Sequence, residues 1–555
     1  MSSHSSPLQR LYQLAELERE DITTLIIYGL GIGLMSLATP IAVQSLVNTI
    51  AFGALFQPLL VLTLILFVLM TFSNTLAAWQ FYVVEMLQRR LFVRLFGTAA
   101  HGLQQADFSA RDRHYLPELS NRFFDVVTLQ KTAAVMLLES LGYILQTLIG
   151  MLLLAFYHPI LLAFDLFLIA ALSAILFVMG KHGVSTAIEQ SKAKYTAAAW
   201  LENIAGNALL GKATHTQDFF RHRTEQISMD YLYACVQHFR IVARQNIAAL
   251  ALHAIANTLL LGLGGWMVIE RQLSLGQLIA AELVVNAMLY GLTRLGKNLD
   301  NFYELLTGLD KVGHLLDLPQ ETNLGTSAVV NTGAYRVVLD NVSLPQNPQL
   351  DTLHHLNLQI DAGECLVISS GAQRGSVFDL LYGLRSPASG SVSLDNQDLR
   401  DLNLGLLRDT IALVREPEIF PGSIAENVHM GRPLDLHAIQ EVLQQVGLLE
   451  FITELPTGLN TPLGLQGAPL SREQCLRLSL ARALSQKPRL LMLDQVLDHI
   501  DQSALPKLLN YLVAKQVPWT LLVCSQQEQV IKACSRHCRI EQGTLVEISS
   551  PQEAV

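Results

Sequence analysis

The chain has 555 residues, of which 51% are hydrophobic and only 15% are charged, whereas about 25% charged residues is usual in soluble domains. Its formal net charge of −9 argues against nucleic acid as a main partner, because phosphate recognition needs clustered basic residues. No Asp, Glu, Lys or Arg lies between Asp21 and Glu85. We therefore expect a membrane domain followed by a soluble domain.

The N-terminal segment precedes the first apolar stretch. Residues 1–21 carry charges but no apolar core of the kind that a cleaved signal peptide needs, so we expect no such peptide. Residues 8–20 predict an amphipathic helix that lies along the membrane surface.

Six apolar stretches are long enough to cross a bilayer, which takes about 20 residues each. They cover about 23–48, 58–84, 133–156, 159–180, 245–269 and 276–299. The connections 85–132 and 181–244 are long and rich in Lys and Arg, whereas the three short turns contain only Arg271. Because positive charge stays on the cytoplasmic side, we predict that both long connections and both termini are cytoplasmic. Residues 1–318 then form a multi-pass membrane domain.

Three acidic residues, Glu139, Asp165 and Glu282, lie within these apolar stretches. A carboxylate inside a bilayer costs a few kcal/mol and often has a function, so Glu282 is the foremost candidate for a substrate or proton role. The alternative, which we favour, is that these residues face a wet cavity of the helix bundle and are simply solvated.

The pattern changes after residue 318. A polar linker, 319–333, leads to short apolar runs that alternate with helical ones over residues 334–551. This alternation predicts an α/β domain with a largely parallel sheet. The expected strands are 336–339, 365–369, 411–414, 490–493, 521–524 and 539–540.

Cys534, His537 and Cys538 lie close together in this half and form a possible metal-binding group. The alternative, which we favour, is reduced thiols at a strand edge, so we expect no metal site.

Three segments of the soluble half carry a resemblance to a known family. They are Leu470-Ser471-Arg472-Glu473-Gln474 with the helical run to Leu484, the apolar run 488–493 with Asp494-Gln495 and then Asp501, and residues 420–428. Together they resemble the signature helix, the Walker B strand with its D-loop, and the segment after the Q-loop of ABC transporter ATPase domains. Six spans followed by this domain are similar to an ABC exporter half-transporter, and the opening spans look closest to the type I secretion (toxin-exporting) branch.

The resemblance implies a protein of the bacterial cytoplasmic (inner) membrane in which two half-transporters pair. Two ATP molecules with magnesium would lie between the P-loop of one ATPase domain and the signature of the other. Closure on ATP would turn the membrane bundle outward, and hydrolysis would reset it.

The phosphate-binding loop departs from the family pattern G-x-x-x-x-G-K-S/T, whose amides and lysine hold phosphates. The matching place reads Ser370-Gly371-Ala372-Gln373-Arg374-Gly375-Ser376 in a shortened loop. Arg374 takes the lysine position, and no lysine occurs between Lys311 and Lys487. A guanidinium is a wide planar fork rather than a compact ammonium, so the loop is degenerate.

Further catalytic positions are also replaced. The replacements are Gln495 for the general-base glutamate, Gln526 for the switch histidine, Arg415-Glu416 at the Q-loop glutamine, Arg472 and Glu473 for the two signature glycines, and Gln346 for the adenine-stacking aromatic. An amide cannot take a proton from water, and a carboxylate at Glu473 would repel the γ-phosphate. Asp494, Asp501, Ser471 and Gln474 survive. Asp494 either binds magnesium or, as we favour, closes its strand end structurally.

Three hypotheses follow. In the first, the chain is a pseudo-ATPase transport subunit that works with an intact half-transporter. In the second, it is an ATP-independent membrane scaffold or regulator for a secretion or peptide-maturation system, with secretion-system components as possible partners. Homodimer and heterodimer both stay open. In the third, it is an active exporter. We favour the first, with no intact catalytic residue and with ATP and magnesium only if the degenerate site still binds them.

Overall fold

The computed structural model describes residues 6–51, 56–113, 116–322, 325, 327, 332–344, 353–369, 374–541 and 544–548. The chain divides into two compact units. The first runs to Gln320 apart from Asp107–Ser109, and the second comprises that short segment and the chain from Glu321.

The first unit is helical. Its helices are α1 (Pro7–Leu17), α2 (Arg19–Ser36), α3 (Ala38–Ala51), α4 (Phe56–Gln104), α5 (Phe108–Arg113, which begins in the short segment of the second unit), α6 (Leu116–Asn121), α7 (Asp125–Val135), α8 (Leu141–Tyr157), α9 (Pro159–Ser173), α10 (Gly183–Gly206), α11 (Thr214–Ile269) and α12 (Leu275–Leu316). Six helical segments are long and apolar enough to cross a membrane, which confirms the predicted number; they are Arg19–Asn48, Leu59–Gln104, Glu118–Tyr157, Pro159–Met179, Thr214–Ile269 and Leu275–Leu316.

Two of these helices are much longer than a bilayer requires. Helix α4 has 49 residues and α11 has 56, against the roughly 20 that cross the hydrocarbon core. Their polar parts, 85–104 and 214–244, belong to the connections that the sequence marks as long and basic. Hydropathy therefore locates the membrane-crossing part of each helix correctly but underestimates the length of the helix. A helix can continue into water, because outside the bilayer it no longer needs to be apolar on every side.

The three acidic residues in the apolar stretches have different surroundings. Asp165 is only 2% exposed, and neither of its carboxylate oxygens has a hydrogen-bond partner among the described residues. Glu139 lies in a π-helical turn, Met136–Ser140, and accepts a hydrogen bond from Asn298 Nδ2 at 3.3 Å. Glu282 is exposed on the surface of the unit. A solvated position for Glu282 and a functional role both stay predictions.

The second unit has twelve strands and eight α-helices among its described residues. The strands are β1 (Val337–Ser343), β2 (Leu356–Ile360), β3 (Cys365–Ser369), β4 (Ser389–Leu394), β5 (Gln397–Asp398), β6 (Ile411–Val414), β7 (Gly422–Ser423), β8 (Pro462–Leu463), β9 (Leu490–Asp494), β10 (Thr520–Cys524), β11 (Arg536–Glu541) and β12 (Thr544–Glu547). The helices are α13 (Arg374–Leu381), α14 (Leu404–Arg408), α15 (Ile424–His429), α16 (Leu436–Gln445), α17 (Leu449–Glu454), α18 (Arg472–Ser485), α19 (Leu505–Leu512) and α20 (Glu528–Ala533).

The central sheet of this unit has six strands in the order β12-β11-β3-β10-β9-β6. All neighbours are parallel except the β11–β12 pair, which confirms the predicted α/β fold with a largely parallel sheet. Every residue of β3, β9 and β10 is buried, as expected for strands that are covered on both faces.

A second sheet, β2-β1-β4-β5, is antiparallel throughout. The sequence predicted only part of β1. Strand β2 alternates buried and exposed residues, which is typical of a sheet with one solvated face. The sequence pattern of such a short alternating strand resembles that of a loop, because the strand contains few apolar residues.

The cysteine and histidine group holds no metal-binding arrangement. Cys534 is bonded to Cys365 in a disulfide whose Cα atoms lie 4.9 Å apart, so the prediction of a reduced thiol at Cys534 is wrong. Cys538 is a buried free thiol, and His537 Nε2 hydrogen-bonds to the hydroxyl of Ser369. Among the described residues, no group of three metal-ligating side chains occurs. The sequence could not reveal the disulfide, since its cysteines are 169 residues apart.

His537 is expected to make stability depend on pH. Burial lowers the pKa of this imidazole, and Arg539 lowers it further, so the folded state favours the neutral ring. The unfolded chain then binds the proton first, and stability is lost as pH falls below about 6.5. We expect the thermal midpoint of the full-length protein to drop less between about pH 7.5 and pH 5.5 in His537→Gln. His499→Gln, at an exposed position, is the control, and equal slopes in all three proteins would contradict the prediction.

Candidate functional site

The carboxyl ends of neighbouring parallel strands meet at one edge of the central sheet. Val414 of β6 pairs with Leu493 of β9, so the residues that follow, Arg415 and Asp494, lie side by side. Ligands of open α/β sheets bind outside this edge. The candidate site is therefore built from the residues that follow β6, β9 and β10 and from the start of α13.

Arg415 makes the central contacts of this site. Its Nε donates to Asp494 Oδ2 at 2.6 Å, and its Nη2 donates to Asp379 Oδ1 at 3.0 Å and to the carbonyl of Gly375 at 3.1 Å. The two carboxylates are only 8% and 7% exposed, and the Arg415 side chain is 33% exposed. One guanidinium thus bridges two buried carboxylates in charge-assisted hydrogen bonds, which are stronger than neutral ones.

The charges of this cluster are balanced. Burial by itself lowers the pKa of Arg415, but Asp379 and Asp494 together raise it above the ordinary value. The second oxygen of Asp379 accepts from Arg385 Nε at 3.0 Å. Two guanidinium groups therefore neutralise two carboxylates, and the cluster needs no further cation.

A magnesium ion fits these residues poorly. In the P-loop pattern its ligands include the hydroxyl of the residue after the lysine, and with Arg374 in the lysine position that residue is Gly375, which has no side chain. Asp494 Oδ2 is engaged by Arg415. A divalent cation beside Asp494 would also lie close to a fixed guanidinium charge, and such repulsion is strong where water is excluded.

The predicted phosphate loop is only partly described. Ser370 and Gly371 lie outside the described residues. Helix α13 begins at Arg374, whose side chain also lies outside them, so its role stays a prediction. Gly375 contributes its carbonyl to Arg415, and Ser376 is buried.

The two glutamines at catalytic positions lie at the same edge of the sheet. Gln495 directly follows β9 in the left-handed region with φ 59°, and its N–H donates to the carbonyl of Cys524 at 3.0 Å. This conformation is uncommon for residues other than glycine and is concentrated at functional sites. Gln526 is exposed in the loop after β10. The structure thus places Gln495 and Gln526 after neighbouring strands, and their assignment to the base and switch positions stays a prediction.

The signature segment forms the start of α18. The Ser471 hydroxyl accepts from the Gln474 N–H at 3.2 Å, and Gln474 Oε1 accepts from the Ser471 N–H at 2.8 Å. This is a capping box, which satisfies N–H groups at the helix N-terminus. The two surviving signature residues therefore have a structural use that needs no nucleotide, with Leu470 buried before them and Arg472 exposed after them.

Glu473 has its own partners. Its carboxylate accepts from Arg477 Nε at 2.7 Å and from the Asp501 N–H at 3.3 Å. The charge at the signature is thus partly neutralised by Arg477, one helical turn later. The surviving D-loop residue Asp501 contributes its backbone here, and its side chain is exposed.

Sequence reasoning missed several residues of this site. Asp379 completes the Arg415 cluster from α13. Asp498 accepts a hydrogen bond from the Ser525 hydroxyl, and its carbonyl accepts from Gln527 Nε2 at 3.2 Å, which ties the loops after β9 and β10 together. A polar residue on the buried face of α13 is the one signal that could have pointed to Asp379.

Comparison with known proteins identifies the family. Residues 22–291 match the ABC transporter transmembrane region, and residues 353–497 match the ABC transporter ATPase family. The chain is an ABC half-transporter. A solved bacterial Atm1-family ABC exporter with ATP bound superimposes with a TM-score of 0.83 over 97% of both chains at 18% identity, which shows the exporter fold.

The chain spans about half the length, or less, of the curated relatives that it matches. A putative export ATP-binding/permease protein of Rickettsia bellii is 28% identical over 55% of this chain and 53% of its own. The leukotoxin translocation ATP-binding protein of Mannheimia haemolytica is 27% identical over 56% of this chain and 45% of its own. ABC transporter B family member 1 of Arabidopsis thaliana is 29% identical over 53% of this chain and 24% of its own.

Proposed function

We propose that this chain is a transport subunit whose ATPase domain neither binds Mg-ATP productively nor hydrolyses ATP. The observation that carries the proposal is the Arg415 bridge between Asp494 and Asp379. Arg415 occupies the Q-loop position, and its guanidinium takes the place at Asp494 that a hydrated magnesium ion needs.

The replacements around this bridge support the same conclusion. Gly375 offers no hydroxyl to a metal, and Gln495 cannot accept a proton from an attacking water. Arg374 in the lysine position is a planar fork rather than a point charge. Each change alone is compatible with a working site, but together they remove the metal ligand, the phosphate contact and the base.

A subunit of this kind needs an intact partner if it is to use ATP. In a homodimer both sites would join a degenerate P-loop to a degenerate signature. In a heterodimer one site would contain the partner's P-loop and general base. We therefore infer pairing with an intact half-transporter in a bacterial cytoplasmic membrane, with the basic connections and the ATPase domain in the cytoplasm. The leukotoxin-translocating relative favours a place in the secretion branch.

Nucleotide binding by the purified full-length protein tests the proposal. In lipid nanodiscs we expect no heat of binding with millimolar Mg-ATP. The ATP turnover number should be at least about 100-fold below that of a typical enzyme, which is roughly 10 s⁻¹. Gln495→Glu alone should restore nothing, because a base acts only on water that is already positioned. Asp494→Asn is the control. ATP turnover that disappears in Asp494→Asn would show an active exporter.

Co-purification distinguishes the remaining readings. Capture of a P-loop-intact ABC chain with the native complex supports the transport subunit. A homodimer without such a chain in the native membrane supports the ATP-independent scaffold instead.

A further inference from the structure

A cavity of about 540 Å³ lies within the helices of the first unit. It is lined by α7, α10, α11 and α12, largely from the connection 181–244 that we place in the cytoplasm. Its volume falls in the range of small-molecule sites, about 300–1,000 Å³. The lining residues recur at helical spacing, such as Tyr231, Cys235 and Phe239 on α11, so one face of each helix is turned towards the cavity.

The cavity wall carries an excess of negative charge. Asp125 is paired with Lys194 at 3.2 Å, and Asp300 lies 3.2 Å from His238 Nε2. Glu304 on α12 also lines the cavity. Within the part of the chain that the structure describes, no basic side chain lies within ion-pair distance of Glu304, so this carboxylate has no cation of its own.

An unsatisfied hydroxyl is the second feature of the wall. Ser191 on α10 is only 7% exposed, and its Oγ has no hydrogen-bond partner among the described residues. Helical serines commonly bond back to the preceding turn, as Thr196 and Thr224 do here. Leaving a buried hydroxyl unsatisfied costs about 1–3 kcal/mol. A bound ligand with a hydrogen-bond donor would remove that cost.

Aromatic side chains complete the wall. Tyr231 and Phe239 line the cavity from α11. The faces of such rings attract cations, and ammonium groups most of all when they are partly desolvated. Carboxylate, hydroxyl and aromatic faces together suit an ammonium group, which offers three donors and one positive charge.

We propose that this cavity binds a small organic amine in its protonated form. Glu304 supplies the counter-charge, Ser191 accepts a hydrogen bond from the ammonium group, and the ring faces of Tyr231 and Phe239 attract its positive charge. The inference does not depend on the state of the ATPase domain, because binding requires only residues of the first unit.

Calorimetric titration of the full-length protein in nanodiscs with spermidine tests the site, with the neutral diol 1,8-octanediol as the matched probe. Glu304→Gln should weaken spermidine binding by at least about tenfold, since a hydrogen-bonded charge is removed. Glu225→Gln, exposed on α11 and absent from the lining, should leave the affinity unchanged. Binding that Glu304→Gln does not weaken, or no binding of spermidine at millimolar concentration, would overturn the proposal.

Ser191→Ala separates a ligand contact from a packing role. It should weaken spermidine binding severalfold and yet raise the thermal midpoint of the ligand-free protein, because the unsatisfied hydroxyl is gone. If Ser191 served only in packing, the variant would have a lower thermal midpoint than the wild type. That result would count against the site.

Alkylation of the wild-type protein avoids any folding defect of a variant. Cys235 lines the cavity and is partly accessible, whereas the other described free cysteines are buried. Saturating spermidine should slow the reaction of Cys235 with N-ethylmaleimide several-fold, and 1,8-octanediol should not. Equal rates with and without spermidine would refute occupancy of the cavity.

Discussion

Arg415→Ala is expected to destabilise the ATPase domain by about 2–4 kcal/mol, because it leaves two buried carboxylates with one fewer cation. Asp494 loses its 2.6 Å contact, and Asp379 keeps only Arg385. At the Q-loop position, which we propose that Arg415 occupies, the residue expected from the family resemblance is an uncharged glutamine, and the removal of a neutral amide would take no cation from a carboxylate. The size of this loss therefore distinguishes an internal ion pair from an unused metal site.

The measurement is the thermal midpoint of the full-length protein, followed by intrinsic fluorescence and by protease resistance of the second unit. A loss of this size corresponds to roughly 4–16 °C for a domain of about 200 residues. Arg400→Ala removes an arginine that is 62% exposed and forms its ion pair with Asp398 on the surface, and it should change stability by no more than about 0.5 kcal/mol. Equal midpoints for the two variants would show that the Arg415 bridge contributes nothing.

In a confirmed heterodimer, replacing the lysine of the partner's P-loop is expected to reduce ATP turnover by at least about 100-fold, whereas Arg374→Ala changes it by less than about twofold. The reason is that only the partner's P-loop offers lysine and hydroxyl to Mg-ATP. Turnover of the purified heterodimer and a structure of the nucleotide-bound complex measure this asymmetry. Nucleotide density beside Arg374 would contradict it.

The signature of this chain would face that partner-held nucleotide. Replacing Arg472 and Glu473 by glycine should raise turnover, since a carboxylate facing the γ-phosphate is removed. The gain should be limited to severalfold, because Arg477 and the Asp501 N–H already neutralise Glu473 in part. Arg472→Gly alone is the control. Unchanged turnover in the double variant would contradict the prediction that Glu473 lowers turnover.

Local patterns were sufficient for much of this protein. The six spans follow from apolar runs, because the length of such a run is a property of consecutive residues. Strands β3, β6, β9 and β10 were found for the same reason, since buried parallel strands are short continuous apolar runs. The predictions that Gln495, Gln526 and Arg374 stand at the base, switch and lysine positions rest on the order of residues along the chain.

What only the tertiary structure decided is how distant residues pair. The sequence predicts Arg415 at the place of a glutamine, but its partners Asp379 and Asp494 are 36 and 79 residues away. The parallel register of β6 and β9 and the position of α13 bring them together, and no local pattern encodes that register. In the same way, Ser191 and Glu304 line one cavity because α10 and α12 pack in one bundle. The sequence by itself determined which residues stand at the positions that we propose for the nucleotide site, and the fold decided which side chains contact them, because those contacts arise from long-range packing.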